Sequence, residues 1–183
     1  MSTQDLPREA QQLEQFARDV VGRLAQTGLK VTTAESCTGG LLASLITDLE
    51  GISSIFDRGF VTYEETAKCD VLGISGALIA DKGIVSREVA QAMAAGALNQ
   101  SRSDIAIGIT GFAGPAGNSD EAGLVHIVAL GKGGHTVSRE CHFGAAGRDQ
   151  IRMRSAHAAL EMLDELLKRM QQARLSEPSV RTG

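Results

Sequence analysis

The segment that most constrains the fold is residues 104–110, Asp-Ile-Ala-Ile-Gly-Ile-Thr, which is almost continuously apolar over the length of one strand. A strand with one face in water alternates apolar and polar side chains, whereas a strand covered on both faces is apolar throughout. This segment therefore predicts a central strand enclosed between two other layers of structure.

Helical and strand patterns alternate along the rest of the chain. The predicted helices cover about residues 5–27, 40–49, a short stretch ending at 72, 89–99, and a closing segment with its apolar stripe between 151 and 170. The other predicted strands cover 29–33, 58–63, 124–130 and 135–143, the last two forming a hairpin. Ser86 is the predicted N-cap of the helix over 89–99. Helices interleaved with strands predict an α/β fold, a three-layer α/β/α sandwich with a mixed sheet.

The length and composition fit one domain. The chain has 183 residues, 43% of them hydrophobic, which suffices for a full core without disulfides or metals. We expect a single domain over residues 1–175. Residues 176–183, which contain Pro178 and no apolar pattern, are expected to form a disordered tail.

The net charge and the cysteines limit which binding partners and which cellular compartment are expected. A net charge of −4, one tyrosine and no tryptophan leave neither a basic surface nor stacking platforms, so nucleic acid is not an expected partner. Cys37, Cys69 and Cys141 form no C-x-x-C pair, which argues against disulfides and structural zinc and favours the cytoplasm. A polar N-terminus and the lack of any apolar stretch near about 20 residues predict no membrane association. Nucleotide-triphosphate, dinucleotide and zinc-protease motifs are missing, so neither a metal nor an organic cofactor is expected.

A hydroxyl and a glycine pair stand at the joint between the first predicted strand and the next helix, in Thr33-Ala-Glu-Ser-Cys-Thr-Gly-Gly40. The first N–H groups of a helix lack intrahelical partners and carry the positive end of its dipole, so they stabilise an oxyanion or a phosphate. Thr38, Gly39 and Gly40 are therefore candidate binding residues. Ser36 is either a nucleophile or an ordinary N-cap.

Two further features are candidates for holding a phosphate. One is the glycine-rich loop after the central strand, around Thr110, Gly111 and Gly114, and the other is Arg148 at the start of the last helix. Each has a plainer interpretation, because such a loop is often only a turn and such an arginine only a solvated surface charge.

The order of several motifs resembles the CinA C-terminal domain, the nicotinamide-nucleotide amidohydrolase (PncC) family, over roughly residues 8–170. The motifs are the segment 33–40, Arg58-Gly-Phe-Val-Thr-Tyr63 followed by Lys68, Gly83-Ile-Val-Ser86, and Gly108-Ile-Thr-Gly-Phe-Ala-Gly-Pro115. The resemblance implies a stand-alone domain that deamidates nicotinamide mononucleotide, a small-molecule nucleotide, to nicotinic acid mononucleotide and ammonia. It also implies a catalytic set of Ser36 as nucleophile with Lys68 and Tyr63.

Ser36, Lys68 and Tyr63 can catalyse this reaction only if the serine is activated by a base. A serine hydroxyl attacks a carboxamide poorly unless a base removes its proton, and lysine is such a base only when its pKa falls well below about 10.4. Tyr63 would relay a proton or hold the serine in place. The alternatives are an exposed ion pair between Lys68 and Glu64, four residues apart on a helix, and a tyrosine hydroxyl in water. Cys37 is interpreted as a small buried residue rather than the nucleophile.

One segment departs from the family pattern. After Gly117 the residues 118–125 are shorter than usual in the family and lack its lysine and proline, so the substrate preference is open. Two other functions are also compatible with the sequence. One is an amidase of the same mechanism with a different substrate, and the other is a non-catalytic nucleotide-binding or regulatory module. A homo-oligomer is possible, because the alanine-rich helix after Ser86 packs either internally or against a second subunit.

Overall fold

The computed structural model describes residues 5–114 and 121–176, in which helices and strands alternate as far as a final hairpin and helix. The helices are α1 (Asp5–Thr27), α2 (Leu41–Thr47), α3 (Glu65–Leu72), α4 (Gly76–Lys82), α5 (Arg87–Asn99) and α6 (Arg148–Ser176). The strands are β1 (Val31–Glu35), β2 (Phe56–Val61), β3 (Ile105–Gly111), β4 (Leu124–Gly131) and β5 (Thr136–His142). A single 3-10 turn at Ile52–Ser54 precedes β2.

The strands form a mixed sheet. Within the described residues the strand order is β2-β1-β3-β4-β5, with β1 parallel to both β2 and β3. The pairs β3–β4 and β4–β5 are antiparallel. The third position in this order belongs to β3, and its residues 105–110 are all buried. The predicted central strand and the predicted hairpin are therefore both confirmed.

Two helical layers cover the sheet on opposite faces. Side chains alternate along β3, so Ile105, Ile107 and Ile109 enter a core that they share with α1, α2 and α6. Ala106 points the other way, into a second core with α3, α4 and α5. The three-layer α/β/α sandwich predicted from the sequence is confirmed. Because the alanine-rich face of α5 packs on the sheet, that face is not available to a second subunit.

Several local predictions hold and others need correction. Ser86 caps α5 as predicted, since its hydroxyl oxygen accepts the N–H of Val89 at 3.2 Å. The first strand lies two residues later than the predicted 29–33, because Glu35 is a buried residue of the strand itself. The prediction also missed α4, which has only seven residues and begins at a glycine, a residue of low helix propensity. Ser176 is still helical, and the predicted tail over 177–183 lies outside the described residues.

None of the helices within residues 5–114 and 121–176 is both long enough and apolar enough to cross a membrane.

The approach of α5 to the central strand depends on Gly108. A Cβ atom at this position would lie 2.2 Å from the carbonyl oxygen of Ala90 and 2.7 Å from the amide nitrogen of Ala94, and both of these atoms belong to the backbone of α5. Backbone atoms in a packed layer move only together with the whole helix, so even one methyl group here forces the layers apart.

We expect Gly108→Ala to lower the free energy of unfolding by about 1–3 kcal/mol, the usual cost of overpacking a core. The measurement is urea unfolding followed by circular dichroism. Gly22→Ala is the matched control, because a Cβ there meets nothing within 4 Å and the position is inside α1. It should raise the stability by about 0.5–1 kcal/mol through helix propensity. Equal effects of the two substitutions would contradict this account of the packing.

Candidate active site

Ser36 lies directly after β1, at the edge of the sheet where the parallel strands end. Its amide donates to the carbonyl oxygen of Ile109 at 3.0 Å, which extends the pairing of β1 with β3 by one residue. The chain then turns, and the amide of Gly39 donates back to the carbonyl oxygen of Ser36 at 3.1 Å. The carboxyl edge of the parallel strands is the usual place for a site in an α/β sheet.

Lys68 lies on α3 and is completely buried. Its Nζ atom is 3.0 Å from Ser36 Oγ, 2.8 Å from the carbonyl oxygen of Thr62 and 3.0 Å from the carbonyl oxygen of Tyr63. In the described part of the chain no carboxylate forms an ion pair with this lysine, so the alternative of a pair with Glu64 is wrong. Burial directs the amine at the serine instead of at solvent.

The surroundings of Lys68 favour an uncharged amine. Burial lowers the pKa of Lys68, and the negative charges that Cys37 and Glu65 carry when ionised act weakly in the opposite direction. A neutral amine has two N–H groups and one lone pair. When the amine is neutral, the two carbonyl oxygens, which can only accept, take its two N–H groups and leave its lone pair for the hydroxyl hydrogen of Ser36.

Cys37 stands next to the serine and also faces the site, but its thiol is unsuited to attack. Burial raises the pKa of Cys37 to about 12, so the thiol keeps its proton at neutral pH. The thiolate is the reactive form of cysteine. Among the residues that the structure describes, no three His, Cys, Asp or Glu side chains converge as a metal-binding group.

A cavity of about 250 Å³ opens above Ser36. Most of the predicted site residues meet there, since its walls include Ser36, Tyr63, Thr110, Gly111, Gly114 and Arg148, together with Cys37, Ile84, Val85, Phe112 and Ala113. Thr38, Gly39 and Gly40 are not among the lining residues. The structure therefore brings the central loop, the start of α6, Ser36 and Tyr63 to one pocket. Lys68, which contacts Ser36 from the buried side, and the glycine pair are not among the residues that line it.

The individual wall residues differ in their roles. Tyr63 is 60% exposed at the mouth of the cavity, and the contact it makes with Lys68 is through its backbone carbonyl. Thr110 is buried, and its hydroxyl donates to the carbonyl oxygen of Ile84 at 2.9 Å. Arg148 is exposed and lies beside Gly114, where a Cβ would be 3.1 Å from Arg148 Nη2. Within the described residues no carboxylate pairs with Arg148.

The start of α2 is not the open anion site that the sequence suggested. The buried carboxylate of Glu35 accepts the amides of Gly40 and Leu42, each at 3.1 Å, and that of Ala43 at 2.8 Å. Three of the N–H groups at this helix start are therefore already bonded. The sequence alone did not indicate this role of Glu35, because a carboxylate near the end of a strand is usually expected to be exposed to solvent.

Arg152 was missed as well. Its Nε donates to the carbonyl oxygen of Thr38 at 3.0 Å, so it joins α6 to the turn that carries the serine. The signal was present in the sequence, because Arg148 and Arg152 are four residues apart and so share one face of a helix.

Comparison with known proteins identifies the family. A sequence model of the CinA C-terminal domain matches residues 13–167. The chain therefore belongs to the CinA C-terminal domain family. The protein named nicotinamide-nucleotide amidohydrolase PncC from Escherichia coli strain K12 is 43% identical over 155 residues, which cover 83% of this chain and 93% of that protein.

Other members of the family share the fold or are considerably longer. The competence/damage inducible protein CihA from Agrobacterium tumefaciens superposes with a TM-score of 0.81 at 43% identity, over 84% of this chain and 94% of that one. A CinA superfamily protein from Klebsiella pneumoniae gives a TM-score of 0.81 at 30% identity, over 86% of this chain and 98% of that one. The CinA-like protein of Geotalea daltonii is 47% identical over 82% of this chain, but the chain spans only 37% of that protein.

Because the pKa of Lys68 is lowered by folding, we expect a specific pH dependence of stability. Between its native pKa and the ordinary lysine value, the unfolded state binds a proton that the native state does not. Stability therefore rises with pH in this window, by at most about 1.4 kcal/mol per pH unit. The measurement is the free energy of urea unfolding of the wild type minus that of Lys68→Met as a function of pH, so that all other groups cancel. A difference that does not change with alkaline pH would contradict a lowered pKa.

Proposed function

We propose that this chain is an amidohydrolase that deamidates nicotinamide mononucleotide to nicotinic acid mononucleotide and ammonia, with Ser36 as nucleophile and Lys68 as its base. The observation that carries the proposal is the 3.0 Å contact between the completely buried Lys68 Nζ and Oγ of Ser36, a residue that lines a pocket. The name of the E. coli relative, a nicotinamide-nucleotide amidohydrolase, supports the reaction and the substrate.

The reaction divides into two steps. Lys68 takes the hydroxyl proton of Ser36 as Oγ attacks the carboxamide carbon, and the carbonyl electrons move to oxygen to form a tetrahedral intermediate. The intermediate collapses by breaking the C–N bond, and the departing nitrogen leaves as ammonia with the proton returned by Lys68. Water then attacks the nicotinoyl ester of Ser36, losing a proton to Lys68, and the carboxylate product leaves as the serine regains its hydrogen.

The oxyanion needs donors that the protein has not already used. Glu35 engages the amides of Gly40, Leu42 and Ala43, so the amides of Cys37 and Thr38 are the nearest ones in the turn that Glu35 leaves unbonded. An amide that follows the nucleophile is a recurrent oxyanion donor, and one such donor contributes about 3–4 kcal/mol to the transition state.

The substrate itself assists the base. Nicotinamide mononucleotide carries a positively charged pyridinium ring, and a positive charge near Lys68 lowers its pKa further. Tyr63 lines the same cavity, and we assign its hydroxyl the relay of a proton to the departing ammonia.

Arg148 is the proposed phosphate ligand, together with the loop residues Thr110, Gly111 and Gly114. The arginine is the first residue of α6, a helix of 29 residues, so the positive end of the helix dipole lies beside a fixed positive charge. Because Arg148 and Ser36 both line the cavity, we expect the nucleotide phosphate to bind at Arg148 and the carboxamide at Ser36.

The remaining expectations from the sequence are part of this proposal. We assign residues 1–175 to one domain that works in the cytoplasm without a nucleic-acid partner. The described cysteines support a reducing environment, because Cys37, Cys69 and Cys141 are all free thiols.

Replacement of the trio provides the first test. Ser36→Ala and Lys68→Met should each lower kcat for ammonia release from nicotinamide mononucleotide by roughly 10³-fold or more, because each removes a group that acts in the chemical step. Tyr63→Phe, which deletes only the hydroxyl, should lower kcat by about 10²-fold if it relays a proton. The assay is a coupled determination of ammonia.

Two exposed residues serve as matched controls for this test. Ser44→Ala on α2 and Lys82→Met on α4 delete the same functional groups away from the pocket and should leave kcat unchanged. Tight binding of the nucleotide by the wild type without ammonia release would favour a binding module instead. Faster release of ammonia from another amide would favour a different substrate.

The phosphate assignment makes a separate prediction. Arg148→Gln should raise KM for nicotinamide mononucleotide by about 10- to 100-fold, the usual value of a hydrogen bond to a charged group, with little change in kcat. Hydrolysis of nicotinamide riboside, which has no phosphate, should be unaffected. Arg154→Gln, an exposed arginine on the same helix outside this cavity, is the control. An equal loss with nucleotide and nucleoside would contradict a phosphate contact.

A further inference from the structure

Glu35 is a completely buried carboxylate that the catalytic steps do not use. Glu35 is the last residue of β1 and immediately precedes Ser36. Its side chain binds backbone amides at the end of the turn of residues 36–40, which we call the nucleophile turn, and in the first residues of α2. Oε2 accepts the amides of Gly40 and Leu42, and Oε1 accepts the amide of Ala43. One side chain therefore bridges the strand before the serine and the helix after it.

A buried carboxylate is costly unless its charge is compensated. In the part of the chain that the structure describes, no lysine, arginine or histidine forms an ion pair with Glu35. Its compensation is three charge-assisted hydrogen bonds from backbone amides. The carboxylate and the nucleophile turn therefore depend on each other, because among the described residues neither the charge nor the three donors has another hydrogen-bonding or ion-pair partner.

The conformation of the nucleophile turn is unusual and needs such support. Gly39 and Gly40 have φ angles of +60° and +91°, in the left-handed region that favours glycine. Two adjacent glycines make a flexible segment, since glycine loses the most conformational freedom on folding. From the other side, Arg152 Nε donates to the carbonyl oxygen of Thr38. The turn is thus held by a carboxylate on its amides and a guanidinium on its carbonyl.

We propose that Glu35 is a positioning residue that fixes the nucleophile turn, so that Ser36 Oγ faces Lys68 Nζ and the amides of Cys37 and Thr38 face the developing oxyanion. The inference rests on the proposed function. Without the carboxylate, the three amides seek water and the two glycines let the turn relax. A displacement of about 1 Å at a reacting atom costs about 10²-fold in rate.

The test replaces Glu35 by glutamine, which has the same shape but presents an NH₂ group toward backbone donors. We expect kcat per folded molecule for nicotinamide mononucleotide to fall about 10²-fold. KM should stay within about twofold, because the proposed phosphate contacts come from β3 and α6. Amide hydrogen exchange at Gly40, Leu42 and Ala43 should accelerate at least tenfold. Circular dichroism at the assay temperature gives the folded fraction, so a mere loss of folded protein does not count as a loss of kcat.

Asp48→Asn is the matched control, because Asp48 is the C-cap at the opposite end of α2 and its exposed side chain is far from the three amides. It should leave kcat and the exchange rates unchanged. Glu35→Asp, which keeps the charge but shortens the side chain by one CH₂, should give an intermediate kcat. It also provides the test if Glu35→Gln does not fold.

The outcomes separate this inference from the proposed function. If Ser36→Ala is inactive while Glu35→Gln keeps the wild-type kcat, the positioning role is overturned and the amidohydrolase proposal stands. If KM rises while kcat does not change, Glu35 serves substrate binding and the inference is again wrong. If the wild type releases no ammonia, the proposed function fails and the catalytic role of Glu35 falls with it.

Discussion

The whole site depends on one desolvated amine. Lys68 is buried at the junction of α3 with the end of the sheet, and water cannot compete for its Nζ atom. Burial alone would make a lysine a structural liability, because an unpaired polar group in a core is destabilising. Three oxygen atoms solve this problem, and one of them is the hydroxyl of Ser36. The contact with Ser36 that keeps the amine satisfied is therefore the same one through which, in the proposed mechanism, Lys68 activates the nucleophile.

The layered fold supplies the rigidity on which that contact depends. Ser36 is held by β1 through its pairing with β3, and Lys68 comes from a helix on the second core. The two residues are 32 positions apart in sequence, so their contact requires the parallel pairing of β1 and β2 and the return of the chain through α3. A sheet closed on both faces fixes this arrangement far better than a loop would.

Much of the fold could be predicted because buried elements have a recognisable pattern of apolar residues along the sequence. The run around Ile107 shows no polar face, and the stripe of α6 has a clear helical period. Glu35 was missed, and Lys68 was not indicated by its spacing, for one shared reason. Both are charged residues at buried positions, and most of their partners are backbone atoms, which are the same in every sequence. For Lys68 the spacing alone favoured an ion pair with Glu64, whereas the family resemblance indicated the base.

The partners of Lys68 differ in kind, and the difference bears on how such a site can change over time. Two of its three bonds go to the carbonyl oxygens of positions 62 and 63, which no single substitution can delete. The surroundings of Lys68 are thus determined largely by the path of the backbone, whereas much of the cavity wall consists of replaceable side chains. A descendant of this protein could exchange the side chains of the cavity wall and acquire a new ligand while the contacts of Lys68 stay the same.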